Sequence, residues 1–332
     1  MTKEALHWEQ AEADKVHCLL CPQDCTIPPG GSGRCLVRKN SGGRLYATNY
    51  GAVSGLALDP IEKKPLYHFY PGSLILSAGS RGCSLACGFC QNWSSVRGEG
   101  HTELLTPAEL ADLAEATRER GNCGIAFTYT EPLVWYEFVL EAAKEARSRG
   151  LKTLLVTNGF IRPQPWLELL VTIDAVNIDL KAFTPRFYRE NCGGSLKPVQ
   201  DAIAAAAGKC HVEVTTLLIP GQNTGEDEMR ELSAFLAGID PRIPLHLSRY
   251  YPARKWRQPA TPPELIWRLA EVARQKLDFV YIGNLPGSYE TGTYCPDCGQ
   301  LLIQRGLAAR VHLIHGRCPR CNYLLDIPAY EE

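Results

Sequence analysis

Short apolar runs that favour strands alternate with helical patterns through the middle of this 332-residue sequence. Because strands joined by crossover helices form a parallel sheet, the alternation predicts six or seven βα units. The fold class is therefore α/β, and the arrangement fits a full or partial TIM-like (β/α) barrel. We predict the strands at Leu74–Ala78, Gly124–Tyr129, Lys152–Thr157, Ala175–Asp179, Val212–Leu218, Leu245–Ser248 and Phe279–Ile282.

Two threonine–proline pairs indicate where helices begin. Thr106 precedes Pro107, and Thr261 precedes Pro262. Threonine is a good N-cap and proline is favoured at the first helical position, so we predict a helix start at each pair. In such barrels the chemistry lies at the C-terminal ends of the strands, and the loops that follow the strands are where site residues are expected.

The overall charge is nearly balanced, with 35 basic and 36 acidic residues. It gives no sign of a nucleic-acid or anionic-membrane partner. Residues 1–15 lack an apolar targeting region, and no run of the sequence approaches the roughly 18 apolar residues of a membrane span. We therefore predict a soluble, cytoplasmic protein without a membrane partner.

Cysteine is the unusual component, with fourteen residues. Cysteines that cluster in a cytoplasmic protein bind metals more often than they form disulfides. Eleven of them fall into three groups, within residues 18–35, 83–90 and 295–321. We interpret the remaining three as free thiols: Cys123, Cys192 and Cys210.

The middle group, Cys83, Cys87 and Cys90, has the spacing C-x3-C-x2-C and follows the first predicted strand. A [4Fe-4S] cluster normally takes four cysteines, so three of them leave one iron open to a substrate or cofactor. Zinc or chance clustering is the alternative. A closed structural zinc site also needs four ligands, however, and no nearby residue obviously completes one. We predict a [4Fe-4S] cluster here.

The C-terminal group has the spacing C-x2-C-x19-C-x2-C, which is typical of a zinc ribbon. Its members are Cys295, Cys298, Cys318 and Cys321. Zinc and a rubredoxin-like iron both fit four sulfurs, and four cysteines leave no open position, so we predict a structural role. Nucleic-acid binding is disfavoured, because Gln304–His315 offers only two arginines and little aromatic surface.

The N-terminal group also supplies four thiolates, with the spacing C-x2-C-x3-C-x9-C. Its members are Cys18, Cys21, Cys25 and Cys35. Zinc and an auxiliary [4Fe-4S] cluster both accept four cysteines, so the spacing leaves the metal open. An auxiliary cluster could relay electrons, whereas zinc would only fold the segment.

The three cysteine groups suggest a division of the chain into three parts. We predict an N-terminal four-cysteine segment with its lead-in over residues 1–70, a barrel core over residues 71–288, and a zinc-ribbon-like segment over residues 289–332.

The middle cysteine motif resembles that of the radical S-adenosylmethionine (SAM) superfamily. Its members carry C-x3-C-x2-C after the first barrel strand with an aromatic residue before the last cysteine, a position that Phe89 fills. The resemblance implies a [4Fe-4S] cluster whose open iron chelates SAM. It also implies reductive cleavage of SAM to methionine and a 5′-deoxyadenosyl radical that abstracts hydrogen. In such enzymes the cofactor carries the difficult chemistry and the protein orients it.

The segment after the second predicted strand, residues 128–132, resembles the superfamily motif that binds the SAM amino group. Glu131 is the residue that matches. The alternative is an ordinary acidic residue at a helix start, where acids are favoured.

Two further segments resemble parts of pyruvate formate-lyase activating enzymes that surround SAM. The residues implied as SAM contacts are Thr157, Asn158, Asn177, Asp179 and Lys181. Those enzymes use an Asp-Thr pair at a monovalent cation site, and Val156 stands in place of that aspartate here, so the cation site is in doubt. Asp179 and Lys181 lie two residues apart and should share a strand face, with a buried ion pair as the alternative.

His246 on the sixth predicted strand is a further candidate contact to SAM or substrate. A histidine in a strand is more often a satisfied core residue, and that is the alternative.

The chain as a whole resembles the AmmeMemoRadiSam system radical SAM enzymes. The likeness rests on segments 18–22, 59–69, 90–93, 129–132, 282–284 and 294–296. The resemblance implies no particular reaction. Lys63, Lys64 and His68 belong to this pattern and precede the first predicted strand. We interpret them as part of a solvated charged loop, and the alternative is a position near the mouth of the active site.

These patterns predict an oxidoreductase that cleaves SAM at a [4Fe-4S] cluster and abstracts hydrogen from an unidentified substrate. One alternative is an activating enzyme for a glycyl-radical protein. An alternative of another class is a non-catalytic iron-sulfur or zinc protein, which would need a fourth ligand at the middle group. The electron donor would be a flavodoxin or ferredoxin, the substrate could be a protein, and no catalytic residue beyond the cofactor contacts is predicted.

Overall fold

An eight-stranded sheet forms the centre of the computed structural model, which describes residues 1–98, 101–285, 291–306, 309–325 and 327–328. The strands follow one another across the sheet in chain order. They are β1 (Gly55–Pro60), β2 (Leu74–Gly79), β3 (Asn122–Phe127), β4 (Lys152–Thr157), β5 (Ala175–Asp179), β6 (His211–Leu218), β7 (Leu245–Arg249) and β8 (Val280–Gly283).

Strands β2 to β8 are parallel, and β1 pairs antiparallel with β2. The seven parallel strands confirm the predicted α/β class, and their bounds agree with the predicted ones to within two residues. Among the described residues β1 and β8 do not pair with each other, so the barrel is partial.

In the described parts of the chain, six helices of eight or more residues connect the parallel strands, and each buries one face against the sheet. They are α1 (Pro107–Glu115), α2 (Tyr136–Ser148), α3 (Pro163–Leu170), α4 (Lys197–Ala206), α5 (Glu226–Ile239) and α6 (Pro263–Arg274). In α6 the buried residues Ile266, Leu269, Ala270 and Ala273 recur at intervals of three and four, which places a single apolar stripe on the core.

One of the two predicted helix starts is confirmed. Thr106 caps α1 in a capping box, where its hydroxyl accepts from the Glu109 amide and the Glu109 carboxylate accepts from the Thr106 amide at 2.7 Å. The second prediction is wrong, because α6 begins at Pro263 with Pro262 as its N-cap. The Thr261 hydroxyl instead donates to the Leu218 carbonyl at 2.6 Å and accepts from the Tyr250 amide.

Strand β1 was not predicted, because none of its residues is buried and its apolar run is only three residues long, Leu56–Leu58. It belongs to the central sheet although it lies inside the predicted segment of residues 1–70. The predicted boundary between residues 288 and 289 lies outside the described residues.

Small elements surround the central sheet. The N-terminal strands are Lys3–Glu4, Trp8–Gln10, Val16–Cys18, Thr26–Ile27, Arg38–Ser41, Arg44–Ala47 and Ala52–Val53, and the last pairs with Glu103–Leu104. The C-terminal strands are Thr293–Tyr294, Leu301–Gln304 and Arg310–Val311. The short helical turns are Ile61–Lys63, Trp93–Val96, Arg118–Arg120, Pro132–Trp135, Pro185–Phe187 and the π-helical Tyr188–Cys192.

Buried polar contacts attach the N-terminal segment to the barrel and the C-terminal segment to the lead-in before β2. In the N-terminal segment Arg38 forms an ion pair with Glu137 of α2, at 2.7 Å and with both side chains buried. At the other end Arg305 donates to the Thr293 hydroxyl and lies 4.4 Å from the centre of the Tyr67 ring. The ribbon therefore packs on the lead-in that precedes β2.

Candidate active site

A cavity of about 610 Å³ opens at the C-terminal ends of the parallel strands. Its lining comes from the loop after β2 and from the ends of β3, β4 and β5, with Thr215, Leu217 and Ser248 adding to the wall. This is the end at which parallel βα barrels hold their chemistry. The volume lies within the roughly 300–1,000 Å³ range of small-molecule sites.

The sulfurs of the middle group face this cavity, since Cys83, Cys87 and Cys90 all belong to its lining. The rest of the protein fixes their loop from two sides. Cys192 and Asn191 accept backbone hydrogen bonds from Ala86 and Gly88, at 2.8 and 3.0 Å. Opposite them the Arg254 guanidinium donates to the Cys87 carbonyl at 2.6 Å.

Phe89 is buried and also borders the cavity. Its ring packs against Trp256 and Phe187, with centroid separations of 5.1 and 5.7 Å. The aromatic residue within the motif therefore anchors the loop through packing.

In the middle group Cys87 is buried, and Cys83 and Cys90 are half-buried. Burial, together with the nearby Glu131 carboxylate, holds the pKa of Cys83 well above its usual value. The Cys83 sulfur accepts from the Leu85 amide at 3.4 Å and from the Asn158 amide group at 3.6 Å. The N–H donors beside the Cys83 sulfur would stabilise it as a thiolate metal ligand.

Cys192, which we interpreted as a free thiol, lies beside this group. It is fully buried at the end of the π-helical turn, and contact with its thiol lowers the pKa of Cys87. It does not line the cavity; of the cysteines in the described ranges, only the three motif cysteines do. Its position depends on the fold of residues 188–192 and has no signature in the sequence.

Glu131 lies at the junction of two strand ends. Its buried carboxylate accepts from the Thr157 hydroxyl at 2.6 Å, from the Asn158 amide at 2.9 Å and from the Leu133 amide at 3.0 Å. Burial raises the pKa of Glu131 to about 7, against these hydrogen bonds. Glu131 therefore caps the turn at residues 132–135, as the alternative reading expected, and also lines the cavity with Thr157 and Asn158.

Asp179 and Lys181 form an ion pair at 2.9 Å, and both side chains line the cavity. Burial opposes the charge on Lys181, but the Asp179 carboxylate and the Cys87 thiol hold its pKa well above the usual value. Lys181 lies beyond the end of β5, so the two residues do not share a strand face as we expected. They form an ion pair, as in the alternative, but the pair is partly exposed rather than buried.

Asn177 and His246 do not reach the cavity. The Asn177 amide donates to the Pro65 carbonyl at 2.7 Å and its oxygen accepts from the Thr215 hydroxyl. His246 lies 2.5 Å from a Glu213 carboxylate oxygen. Both lie before the ends of their strands, and their polar groups form hydrogen bonds inside the barrel. For His246 this is the alternative given above, a core histidine whose hydrogen bonds are satisfied within the protein.

A second polar cluster on the cavity wall was missed as a site. Asp59 of β1 accepts from both the Lys64 ammonium and the Tyr129 hydroxyl at 2.8 Å, and all three residues line the cavity. Tyr129 has a φ of +66°, which is rare for a bulky side chain. The segments that carry these residues were part of the family resemblance, which was the available signal.

The solvated loop predicted for Lys63, Lys64 and His68 is wrong for two of its members. Lys64 and His68 are each 3% exposed. His68 lies 2.6 Å from the Tyr281 hydroxyl beneath the sheet, away from the cavity. Charge alone predicted solvent exposure, whereas the fold pairs both side chains.

The two terminal cysteine groups differ in spacing. The sulfurs of Cys295, Cys298, Cys318 and Cys321 all lie within 4.8 Å of one another. Across the described parts of the chain, this is the one group of three or more cysteine, histidine or carboxylate donors gathered closely enough for a single metal ion. The four N-terminal cysteines are neighbours but not so tightly gathered.

No helix within the described residues is long and apolar enough to cross a membrane.

Comparison with known proteins agrees with this geometry. Residues 78–235 match the Radical SAM superfamily. An uncharacterized protein of Methanocaldococcus jannaschii is 38% identical over 338 residues, spanning 98% of this chain and 99% of its own. Pyruvate formate-lyase 1-activating enzyme of Escherichia coli strain K12 is 26% identical over 161 residues, covering 47% of this chain and 65% of that enzyme.

The fold has a counterpart among solved structures. A radical SAM methyltransferase from Sphaerobacter thermophilus superposes with a TM-score of 0.52 at 16% identity, covering 90% of this chain and 81% of that one. At this identity the likeness supports the fold alone. From its superfamily match, its full-length relative and its cysteine-lined barrel, the chain belongs to the radical SAM superfamily and is related to pyruvate formate-lyase activating enzymes.

Proposed function

We propose that this protein cleaves SAM reductively at a [4Fe-4S] cluster held by Cys83, Cys87 and Cys90. The observation that carries the proposal is that the three motif cysteines, of which Cys87 is buried and the other two are half-buried, line one cavity together with Glu131. With three thiolate donors, one corner of the cluster stays open for SAM. When bound, the cluster supplies the electron that converts SAM to methionine and a 5′-deoxyadenosyl radical for hydrogen abstraction.

The residues around the thiols fit such a group. The Leu85 and Asn158 N–H groups face the Cys83 sulfur, as donors to an anionic sulfur would. Contact with the Cys192 thiol is the feature that would favour a closed, non-catalytic site. Cys192 is screened from the cavity, however, and we assign it no ligand role.

The side chains that would hold SAM carry complementary charges. In our proposal the Glu131 carboxylate binds the SAM amino group, and Thr157 and Asn158 fix its orientation through the hydrogen bonds at 2.6 and 2.9 Å. Asp179 and Lys181 present an anion and a cation to the zwitterionic end of SAM. Asn177 and His246 are left out of this proposed site because they do not line the cavity.

The assay for 5′-deoxyadenosine tests the proposal. Anaerobically reconstituted protein, reduced with dithionite and given SAM, is expected to form 5′-deoxyadenosine. A Cys83→Ala, Cys87→Ala, Cys90→Ala variant should form none, whereas the matched Cys210→Ala variant should behave as wild type. Equal product from the triple variant would exclude the assigned ligands.

The second candidate function is action on a protein substrate. The similarity to pyruvate formate-lyase 1-activating enzyme favours it. In that case the chain would act as an activating enzyme on a glycyl-radical protein, with flavodoxin or ferredoxin as its electron donor. Incubation with a candidate partner should then give a glycyl-radical EPR signal that depends on SAM.

We further propose that the C-terminal cysteines hold structural zinc. Four sulfurs within 4.8 Å suit a single tetrahedral ion, and four donors leave no position for a substrate. The three-part division at residues 1–70, 71–288 and 289–332 remains our proposal for the domain organisation, with β1 joining the core.

A further inference from the structure

The four N-terminal cysteines belong to one compact segment, in which Cys18 and Cys35 are buried and Cys21 and Cys25 are half-buried. The Cys18 amide donates to the Cys25 carbonyl at 3.0 Å, and a Cβ built on Gly33 would lie 3.6 Å from the Cys25 sulfur. Thiols that lie beside one another in this way are suited to hold one metal or cluster together.

A buried guanidinium beside these thiols lacks part of its hydrogen bonding. Arg38 is 2% exposed, and its Nη1 donates to Glu137 at 2.7 Å. Among the described residues its Nε and Nη2 atoms have no hydrogen-bond partner. Arg38 lies near the thiols, since a Cβ built on Gly33 would contact both the Cys25 sulfur and the Arg38 Cβ, at 3.6 and 3.8 Å. An unsatisfied buried donor costs about 1–3 kcal/mol, so donors left free beside thiols indicate an anionic group that completes the site.

The spacing of the sulfurs favours a cluster over a single ion. A zinc ion holds its sulfurs at about 2.3 Å and so draws them together, as in the C-terminal group. Within the described ranges neither the N-terminal group nor Cys83, Cys87 and Cys90 are gathered in that way. Cysteines that bind different irons of one cluster lie farther apart, so the N-terminal group follows the pattern of the middle group.

The N-terminal group also packs directly on the loop of the middle group. The Gln23 amide donates to the Ser84 carbonyl at 2.8 Å. A Cβ on Gly82 would lie 2.8 Å from the Cys35 carbonyl oxygen. A small cavity of about 110 Å³ is lined by Cys35 together with Cys83, Cys87 and Cys90. The two groups are therefore adjacent, with one small cavity between them.

We propose that Cys18, Cys21, Cys25 and Cys35 hold a second [4Fe-4S] cluster that passes electrons to the cluster at Cys83, Cys87 and Cys90. The relay part of this inference rests on the proposed function. One electron leaves a low-potential donor of the flavodoxin or ferredoxin class and reduces the N-terminal cluster from the 2+ to the 1+ state. That cluster returns to 2+ as the second one is reduced, and no bond or proton is exchanged.

Metal analysis of the anaerobically reconstituted full chain tests the metal identity. Wild type is expected to bind about eight irons per chain. The first variant, Cys83→Ala, Cys87→Ala, Cys90→Ala, should bind about four. The second variant, Cys18→Ala, Cys21→Ala, should also bind about four. The first variant leaves the N-terminal segment intact, so its result stands even if the second folds poorly. The proposal is overturned if the first variant contains no iron and binds two zinc ions.

Reduction kinetics test the relay separately. In the Cys18→Ala, Cys21→Ala variant, reduction of the remaining cluster by flavodoxin should be at least tenfold slower, as followed by EPR. Reduction by dithionite and the EPR change on adding SAM should match those of wild type and of Cys210→Ala. An unchanged flavodoxin rate would overturn the relay. A missing cluster at the middle group would instead contradict the proposed function, and the iron count of the N-terminal group would be unaffected.

Discussion

Glu131 and Thr157 are joined by a 2.6 Å hydrogen bond from the threonine hydroxyl to the carboxylate, across the ends of two neighbouring parallel strands. This bond links the loop after β3 to the end of β4 at the edge of the cavity. It holds in place a buried carboxylate whose pKa burial raises to about 7. The same site is thus both preorganised and sensitive to pH near neutrality.

The affinity for SAM should therefore depend on pH through Glu131. Protonation below pH 7 removes the negative charge that attracts the SAM amino group, so wild-type affinity should fall as the pH drops from 8 to 6. Glu131→Gln should bind about 10- to 100-fold more weakly at pH 8, the loss expected for one charge-assisted hydrogen bond. The change of its affinity between pH 8 and pH 6 should differ from that of wild type by the contribution of Glu131, because the SAM amino group, with a pKa of about 8, titrates in both proteins. Anaerobic equilibrium dialysis with labelled SAM measures the affinity and its dependence on pH. The exposed Glu115→Gln is the control. A Glu131→Gln variant with the same pH dependence as wild type would refute the assignment.

Asp59 should stabilise the cavity wall. Replacing it with asparagine leaves the buried Lys64 ammonium without its carboxylate partner at 2.8 Å. We expect Asp59→Asn to lower the free energy of unfolding by about 1–3 kcal/mol. Urea unfolding at pH 7 measures the change. Asp112→Asn, which removes an exposed partner of Arg149, should cost less than about 1 kcal/mol. Equal losses in the two variants would argue against a special role for the buried pair.

The sequence predicted the framework of the barrel because its seven parallel strands are buried apolar runs. Lys152–Thr157 and Ala175–Asp179 were predicted with their observed bounds. Strand β1 was missed because it is an edge strand with no buried residue. Its sequence therefore lacks the apolar pattern by which buried strands are predicted. Thr261 was misplaced because tertiary hydrogen bonds to Leu218 and Tyr250, rather than helix capping, use its hydroxyl.

Only those parts of the candidate site that belong to local sequence motifs were predicted. The cysteine spacing and the segment with Glu131 are local, and both lie at the cavity. The contact of Asp59 with Tyr129 joins residues 70 positions apart, and sequence spacing gives no information about it. His246 was proposed as a contact for its residue type alone, and its distance from the cavity follows from its place near the start of β7.

Gly82 should be required for assembly of the cluster loop. Its φ of +91° is strained for any other residue, and an added Cβ would approach Val37 and the Cys35 carbonyl at 2.8 Å. We expect Gly82→Ala to cost about 1–3 kcal/mol locally and to lower the iron bound after reconstitution. Gly225→Ala, whose added Cβ meets nothing within 4 Å, is the matched control. Full iron binding by Gly82→Ala would show that the loop tolerates the displacement.

Loss of the C-terminal metal should leave the iron site intact. Cys318→Ala is expected to lose one zinc per chain while the iron content stays at the wild-type level, because the ribbon shares no lining residue with the described cavity. Elemental analysis of the purified variant measures both metals. Loss of iron in parallel with zinc would indicate that the terminal metal site and the iron site are coupled.

The most direct test of the central claim is electron-nuclear double resonance on the reduced protein with SAM labelled by ¹⁵N at its amino group and ¹⁷O at its carboxylate. If Cys83, Cys87 and Cys90 leave one iron open, both labels should couple to the cluster, and the coupling should be lost in the Cys83, Cys87, Cys90→Ala variant. A fully loaded cluster at these cysteines that shows no coupling to either label would contradict the account, because SAM would then have no position on the iron.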